Sequence, residues 1–448
     1  MGIARQLTKE DHEVTIIDDN EDNITKIQDS LEVSVKRGFP GLPSVLEDAG
    51  VATAEMIIAV TPDDETNMVV CQVAHSLFNL PVKIARVRNK GYLESRWKNL
   101  FRKDHLPIDY IISPELEVAN AIINRLHVPG AMDSKELGEG SLRIIEVRCP
   151  ENFPLKGMSM AEIKENYPDL AFKVISVYRD GSQFLPKITD RLEEKDEVFF
   201  LSHNNNVKRI MPYFGHNEEE ARRVVIVGGG NIGFTVAEKL SEEAIKLDIK
   251  VIELDPKRAD YIASKIEDIS VINGSALDRE ILSEAGISET EAIICVTDDD
   301  EVNILTSILA KKNGCERSVC LINKGRSYLP LISSLGIDVD VNPRETTVSS
   351  ILQHVRKGKV RAAHSLYSGS MEVIEVEIVP TSVLVGKSIW ESELPKDIKV
   401  CGILRKDGNL IIPDENTLIR EKDRLIVIAK TEAIKEVDRI FSERTDYF

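Results

Sequence analysis

The sequence predicts an α/β protein with two Rossmann-like, doubly wound parallel sheets, each followed by a small α+β module. Three observations lead to this fold class. A glycine-rich loop joins a strand pattern to a helix pattern, strand patterns alternate with helical ones, and the whole arrangement occurs twice along the 448 residues. Because single hydrophobic cores stop growing well below this length, several domains are expected.

The glycine-rich loop follows Val224–Val227, four β-branched residues that predict a short buried strand. Gly228, Gly230 and Gly233 form G-x-G-x-x-G, and apolar residues then continue at helical spacing. The first glycine permits a sharp turn, the second lets backbone approach a pyrophosphate, and the third lets helix pack on strand. We therefore interpret the loop as a dinucleotide or adenine-nucleotide site at a helix N-terminus.

A carboxylate ends the next predicted strand. Lys250–Glu253 is apolar at its centre, and Glu253 lies twenty residues beyond Gly233. An acid at this point accepts hydrogen bonds from a ribose 2′-hydroxyl and repels a 2′-phosphate. The competing interpretation of the pattern is a tight strand–helix turn that binds no ligand.

Composition narrows the possible partners. No run of eighteen apolar residues and no export leader occurs, so no membrane span is expected. The formal charge of −18 argues against nucleic acid as a partner, because binding it requires clustered Lys and Arg. The charge is compatible with a basic partner surface, such as the cytoplasmic face of a membrane protein, and also with simple solubility.

Cysteine and histidine usage points away from metal and disulfide chemistry. The six cysteines include no C-x-x-C, and Cys71 and Cys295 lie in apolar runs typical of small core residues in a reducing compartment. Histidine is sparse and lacks ligand spacing, so no metal site is predicted. Asp298–Glu301 follows a strand pattern, where consecutive acids more often begin a helix than bind a metal.

Internal matches show that the chain repeats itself. The matching segments are Leu46–Thr61 with Leu282–Thr297, Asp63–Asn67 with Asp299–Asn303, Asn89–Leu93 with Asn323–Gly325 and nearby Tyr328-Leu329, and Ile111–Pro114 with Val339–Pro343. They occur in one order at a nearly constant offset, so chance is a poor explanation.

Polar residues follow the predicted strands at the edge where ligands of parallel sheets bind. In the first copy these residues are Asp18, Thr61, Pro62 and Arg86. Glu253, Thr297 and Asp298 hold the corresponding places in the second copy. The forked guanidinium of Arg86 could pair with a phosphate, although a surface arginine at a strand end is an equally good interpretation.

The first copy lacks a counterpart of the glycine loop. Aligning Ala4–Leu7 with Ala237–Leu240 places Met1 opposite Phe234, so the loop and the strand before it find no match. That strand would be the centre of the sheet, and its two neighbours would lose hydrogen-bond partners. We interpret this as a truncated or misassigned start and expect proper nucleotide binding only in the second copy.

A smaller β-rich module follows each nucleotide-binding unit. Arg179–Gly181 in the first and Lys406–Gly408 in the second separate alternating apolar runs, which predicts hairpin turns. Each module has roughly seventy residues, a size that favours docking or dimerisation over an isolated module. The predicted domains are 1–135, 136–217, 221–358 and 361–446.

An NAD-dependent oxidoreductase is the alternative function, since many enzymes share this fold. It needs a substrate domain that brings a general acid or base to the nicotinamide. The first small module offers His203 and Tyr178, each without a partner at useful spacing, and the second has no histidine between residues 372 and 441. We therefore favour a non-enzymatic role and predict no catalytic residue.

The order of nucleotide-binding unit, small module, nucleotide-binding unit and small module resembles the TrkA family of regulatory subunits of Trk potassium uptake systems. Units of that family are known as RCK domains, or TrkA-N plus TrkA-C. The resemblance covers essentially the whole chain. The segments that carry it are Val227–Gly233, Ala59–Asn67, Cys71–Ala74, Ile84–Val87 and Val296–Asn303.

The resemblance implies a regulator that forms a homo-oligomer, from a dimer to a tetrameric ring, in the cytoplasm. It would lie peripherally beneath a membrane-embedded potassium transporter subunit of the TrkH/TrkG kind, and NAD(H) or ATP/ADP in the clefts would bias the ring and the pore. The implied cofactor-binding residues are Asp18, Thr61, Pro62, Arg86, Gly228, Gly229, Gly230, Asn231, Ile232, Gly233, Glu253, Thr297 and Asp298.

Overall fold

The computed structural model describes residues 1–9, 12–243, 246–323, 335–355, 360–366 and 370–441. The chain forms two compact units, residues 1–118 with 343–357 and residues 119–342 with 358–448. The repeat match at 324–329 and the predicted domain ends at 358 and 446 lie outside the described residues. Within the described ranges, no helix has both the length and the apolar character needed to cross a membrane.

The first unit carries the first copy of the predicted parallel fold. Its elements are α1 (Gly2–Lys9), β1 (Thr15–Asp18), α2 (Glu21–Ser30), β2 (Ser34–Arg37), α3 (Pro43–Asp48), β3 (Met56–Ala59), α4 (Asp64–Phe78), β4 (Val82–Arg86), α5 (Lys90–Leu93), β5 (Tyr110–Ile112) and the start of α6 (Pro114–Leu126). The helix Pro343–Val355 belongs to this unit as well, because Ile351 and Leu352 pack in one cluster with Ile84 and Ile112.

The first small module is an antiparallel sheet. Its elements are β6 (Ala131–Leu137), β7 (Leu142–Arg148), α7 (Met160–Asn166), β8 (Phe172–Arg179), β9 (Ser182–Phe184), β10 (Glu197–His203) and α8 (Val207–Ile210), with strand order β6-β7-β10-β8-β9. Asp180 and Gly181 both have positive φ, as a two-residue hairpin turn requires, so that prediction is confirmed. The polar strand β6 was not foreseen from the sequence.

The second copy forms a six-stranded parallel sheet. Its elements are β11 (Arg223–Val227), α9 (Asn231–Ser241), β12 (Asp248–Glu253), α10 (Pro256–Lys265), β13 (Ile269–Asn273), α11 (Arg279–Glu284), β14 (Ala292–Cys295), α12 (Asp300–Lys312), β15 (Arg317–Leu321) and β16 (Val339–Val341). The strand order β13-β12-β11-β14-β15-β16 is that of a doubly wound Rossmann sheet, which confirms the predicted fold class.

The same sheet is divided in the first copy. Among the described residues, β1 pairs with β2 and β3 pairs with β4, whereas β11 of the second copy pairs with neighbours on both sides. Burial differs accordingly: Ile293 and Ile294 are fully buried, while their counterparts Ile57 and Ile58 are only partly buried. Within the described part of the first copy, β1-β2 and β3-β4-β5 are therefore separate sheets, and no strand pairs β1 with β3.

The second small module repeats the first. Its strands are β17 (Val360–Leu366), β18 (Met371–Glu377), β19 (Ile398–Leu404), β20 (Leu410–Ile411) and β21 (Arg424–Lys430), in the matching order β17-β18-β21-β19-β20, followed by the helix Ile434–Phe441. One buried cluster joins Ile144 and Phe199 of the first module to Val373 and Ile428 of the second. The docking favoured by their small size therefore takes place within one chain.

Candidate functional site

The glycine loop lies between β11 and α9, as the sequence predicts. Gly228 has φ +96°, and a Cβ there would come within 3.0 Å of the backbone nitrogen of Thr297. A Cβ on Gly233 would lie 1.9 Å from the carbonyl oxygen of Gly228, so this glycine permits the close packing of helix on strand. The first and third glycines are therefore required by the fold itself.

Gly230 differs from these two glycines. A Cβ on Gly230 would meet no described atom within 4 Å, and its φ of −58° suits any residue. Gly230 is the N-cap of α9, and no described side chain caps that helix end. The first N–H groups of α9 have no partner within their own helix, which suits an anion such as a pyrophosphate.

Glu253, the last residue of β12, contacts the loop directly. Its Oε2 accepts a hydrogen bond from the backbone N–H of Gly229 at 2.6 Å, and its Oε1 accepts one from Asp255 at 2.8 Å. The carboxylate is thereby held at the mouth of the loop with a fixed orientation. Two residues predicted from separate segments of the sequence, Gly229 and Glu253, thus form one site.

Arg258 is a member of this site that sequence reasoning missed. Its Nε donates to the carbonyl oxygen of Gly229 at 2.7 Å, and its guanidinium stacks over Phe234 and Tyr261 at 5.4 and 4.9 Å. The stacking leaves a cation beside the glycine loop, where it can oppose phosphate charge. An arginine in the first turn of α10 carries no motif, so only the fold reveals its position.

The predicted residue Thr297 is held by a second residue that was missed, Asn303. The fully buried Asn303 accepts from the N–H and the hydroxyl of Thr297 at 2.9 and 2.7 Å, and donates to the carbonyl oxygens of Thr297 and Leu321 at 3.0 Å. These bonds lock the turn after β14 to the end of β15. The repeated D-D-E-x-N segment contained this asparagine, so a sequence signal existed.

The first copy repeats this turn with one change. Asn67 accepts from Thr61 and donates to the carbonyl oxygen of Arg86, as Asn303 does to that of Leu321. Arg86 therefore occupies the position of the buried Leu321. Its guanidinium donates from Nη2 to the carbonyl oxygen of Thr61 at 2.5 Å, so two predicted residues meet here.

The cleft around Arg86 contains unsatisfied polar atoms. Arg86 Nε, Asp64 Oδ1 and Glu115 Oε2 are buried without a hydrogen-bond partner in the described part of the chain. Burial lowers the pKa of Arg86, and the neighbouring Arg88 lowers that pKa further. Buried polar groups ordinarily find partners, so these atoms are candidates for contact with water or a polar ligand.

The remaining predicted residues make fewer contacts. Asp18 ends β1, where its carboxylate accepts from the N–H of Asn20 at 2.9 Å. Pro62 and Asp298 are exposed at their strand ends. Exposed Asn231 and half-buried Ile232 form the first turn of α9. Among the described residues, no group of three or more His, Cys, Asp or Glu side chains is placed to hold a metal.

Comparisons with known proteins agree with this architecture. The TrkA-N domain matches residues 1–114 and 224–343, and the TrkA-C domain matches residues 373–442. The chain is 39% identical to the Trk system potassium uptake protein TrkA of Azorhizobium caulinodans, over 100% of this chain and 97% of that protein. It is 34% identical to the protein of the same name in Haemophilus influenzae, over 98% and 95% respectively.

Two solved structures share the fold. The GsuK RCK domain superimposes with a TM-score of 0.60 at 22% identity, over 98% of this chain and 92% of that chain. The GsuK channel bound to NAD superimposes with a TM-score of 0.61 at 22% identity, over 98% of this chain and 76% of that chain. At this identity the likeness concerns the fold.

Proposed function

Because the chain belongs to the TrkA family of Trk system potassium uptake proteins, we propose that it is a nucleotide-binding regulatory subunit of a potassium uptake system. The observation that carries the nucleotide part is the geometry around Gly230. There, an uncapped helix N-terminus, an anchored acid and a stacked arginine surround one open position. In this proposal the protein binds the nucleotide without transforming it.

The second cleft favours NAD(H) over NADP(H). The carboxylate of Glu253 is positioned to accept from ribose hydroxyls and would repel a 2′-phosphate. Arg258 and the first N–H groups of α9 would oppose the pyrophosphate. The residues proposed to hold nucleotide here are Gly228, Gly229, Gly230, Asn231, Ile232, Gly233, Glu253, Thr297 and Asp298, with Arg258 added.

The first cleft has a different chemistry. Asp18, Thr61, Pro62 and Arg86 are proposed to contact a ligand, and Arg86 supplies a charge that Leu321 does not. The forked guanidinium of an arginine suits the terminal phosphates of ATP or ADP.

Regulation follows from differential binding. A nucleotide shifts an equilibrium between two shapes only by its preference for one of them, typically by about 1–3 kcal/mol. We propose that the chain assembles with further copies into a ring on the inner face of the membrane, against the transporter subunit. The domains that we propose for nucleotide binding and assembly are 1–135, 136–217, 221–358 and 361–446.

Isothermal titration of the whole chain with NAD⁺, NADH, NADP⁺, ATP and ADP tests the proposal. We expect NAD⁺ or NADH to bind at least tenfold more tightly than NADP⁺, and Gly230→Ala to weaken this binding at least tenfold in a protein that melts like the wild type. Potassium uptake by cells carrying the Gly230→Ala chain should then lose its response to nucleotide. Wild-type protein that binds none of the five ligands would contradict the proposal.

A further inference from the structure

The segment 88–105 is basic in an otherwise acidic chain. It contains six Lys or Arg and two Asp or Glu, a net charge of +4, while the whole chain carries −18, so the remainder carries −22. This contrast concentrates positive charge on one connection between β4 and β5 of the first unit. The corresponding stretch of the second copy, residues 324–337, contains two basic residues and no tryptophan.

The segment is folded with its apolar side chains inward. It forms α5 and then a 3-10 helix, Ser95–Phe101, while Tyr92, Leu93 and Phe101 pack against the buried core of the first unit. This packing fixes the outward side of the segment.

The outward side combines cations with one tryptophan. Trp97 is 50% exposed, and the guanidinium of Arg96 stacks over its ring at 5.0 Å. Arg102, Lys103 and His105 are exposed beside it in the chain. Tryptophan is enriched at membrane–water interfaces, and Lys or Arg near an anionic bilayer each contribute attraction.

We propose that the segment 88–105 is a docking surface for the anionic headgroups of the membrane, with Trp97 as its interfacial anchor. The inference rests on the proposed function, which places the chain beneath a membrane protein. Charge decides between lipid and protein as the partner. Cytoplasmic loops of membrane proteins carry excess Lys and Arg, so they repel this segment and attract the acidic remainder of the chain.

Vesicle sedimentation of the whole protein, in the absence of nucleotide and transporter, tests the docking surface. The two vesicle types are pure phosphatidylcholine and phosphatidylcholine mixed with phosphatidylglycerol. The test variant is Arg102→Gln with Lys103→Gln. The control is Lys195→Gln with Lys246→Gln, which removes the same charge from side chains that are 86% and 83% exposed elsewhere.

We expect the wild type and the control to bind the anionic vesicles only, and high salt to release them. The test variant should bind about 25-fold more weakly, at about fivefold for each neutralised charge. Adding Trp97→Ala to the test variant should weaken its binding to anionic vesicles further. An unchanged melting temperature would show that this variant is folded.

Equal binding to both vesicle types, or equal weakening by the control and the test variant, would overturn the lipid assignment. Binding that needs a reconstituted transporter and is lost in the test variant would assign the segment to a protein partner instead. Nucleotide titration of the same protein samples is independent of lipid. Failure of the docking surface is therefore distinguishable from failure of the proposed function.

Discussion

The carboxylate of Glu253 accepts a hydrogen bond from the backbone N–H of Gly229 at 2.6 Å. The residue expected to select the ribose therefore also supports the loop expected to receive the pyrophosphate. Since β11 and β12 are neighbours in a parallel sheet, their carboxyl ends meet at one edge and allow this contact. Removing the side chain would disturb both roles. Removing only its negative charge would change ribose selection and keep the support of the loop.

Glu253→Gln is accordingly expected to change specificity without loss of the fold. The amide oxygen still accepts from Gly229, the bond from the N–H of Asp255 is lost, and the repulsion of a 2′-phosphate disappears. We expect the ratio of NADP⁺ to NAD⁺ affinity to rise about tenfold, equivalent to about 1.4 kcal/mol. Titration calorimetry measures the ratio, with the exposed Glu280→Gln as control. An unchanged ratio would remove Glu253 from the ribose site.

Two alanine substitutions in the glycine loop should affect different properties: Gly233→Ala should lower stability, and Gly230→Ala should weaken nucleotide binding. Gly233→Ala places a methyl group 1.9 Å from the Gly228 carbonyl oxygen, so α9 must shift away from β11. We expect a loss of about 1–3 kcal/mol in unfolding free energy, measured by urea denaturation.

Gly230→Ala meets open space and should leave stability unchanged. It should weaken nucleotide binding at least tenfold, because its methyl group occupies the approach to α9. If nucleotide bound equally well to Gly230→Ala, the open position would not be the ligand site.

Asn303→Ala is expected to destabilise the second copy. Asn303 is fully buried and makes four hydrogen bonds, three with Thr297 and one with Leu321. Each polar group left buried without a partner costs about 1–3 kcal/mol, so we expect a loss of about 3 kcal/mol. Thermal denaturation of this variant beside Lys312→Ala, an exposed position on the same helix, provides the measurement. Equal melting of the two variants would show that water replaces the asparagine at little cost.

Glu146 in β7 predicts a pH dependence. Burial, together with the nearby Asp133 and Glu197 and against the opposing effect of Arg125 and Lys135, raises its pKa from 4.5 to about 8. Between those two values the folded chain holds one proton more than the unfolded chain. Unfolding free energy should therefore fall as pH rises, by at most about 1.4 kcal/mol per pH unit.

Glu146→Gln should remove the fall in unfolding free energy that Glu146 causes. The variant should therefore become more stable relative to the wild type as pH rises from 5 to 8. Urea denaturation at several pH values measures the difference. Parallel curves for the two proteins would mean that Glu146 is ionised in the folded state.

Much of the fold and part of the site followed from the sequence. Apolar runs predicted the strands Val224–Val227 and Lys250–Glu253, and the glycine loop with Glu253 located the second cleft. Cys71 and Cys295 are buried, as their apolar surroundings indicated. Residue spacing alone could not find Arg258, because its role depends on where α10 brings it relative to α9.

The sequence by itself determined the local elements and the repeat, since strand, turn and helix depend on the chemistry of neighbouring residues. Tertiary structure alone decided which surfaces cover each other. It placed the helix Pro343–Val355 with the first unit, and it joined the two small modules in one core through Ile144 and Val373. A periodic pattern reveals that a face is apolar, but many apolar faces are interchangeable until the whole chain packs.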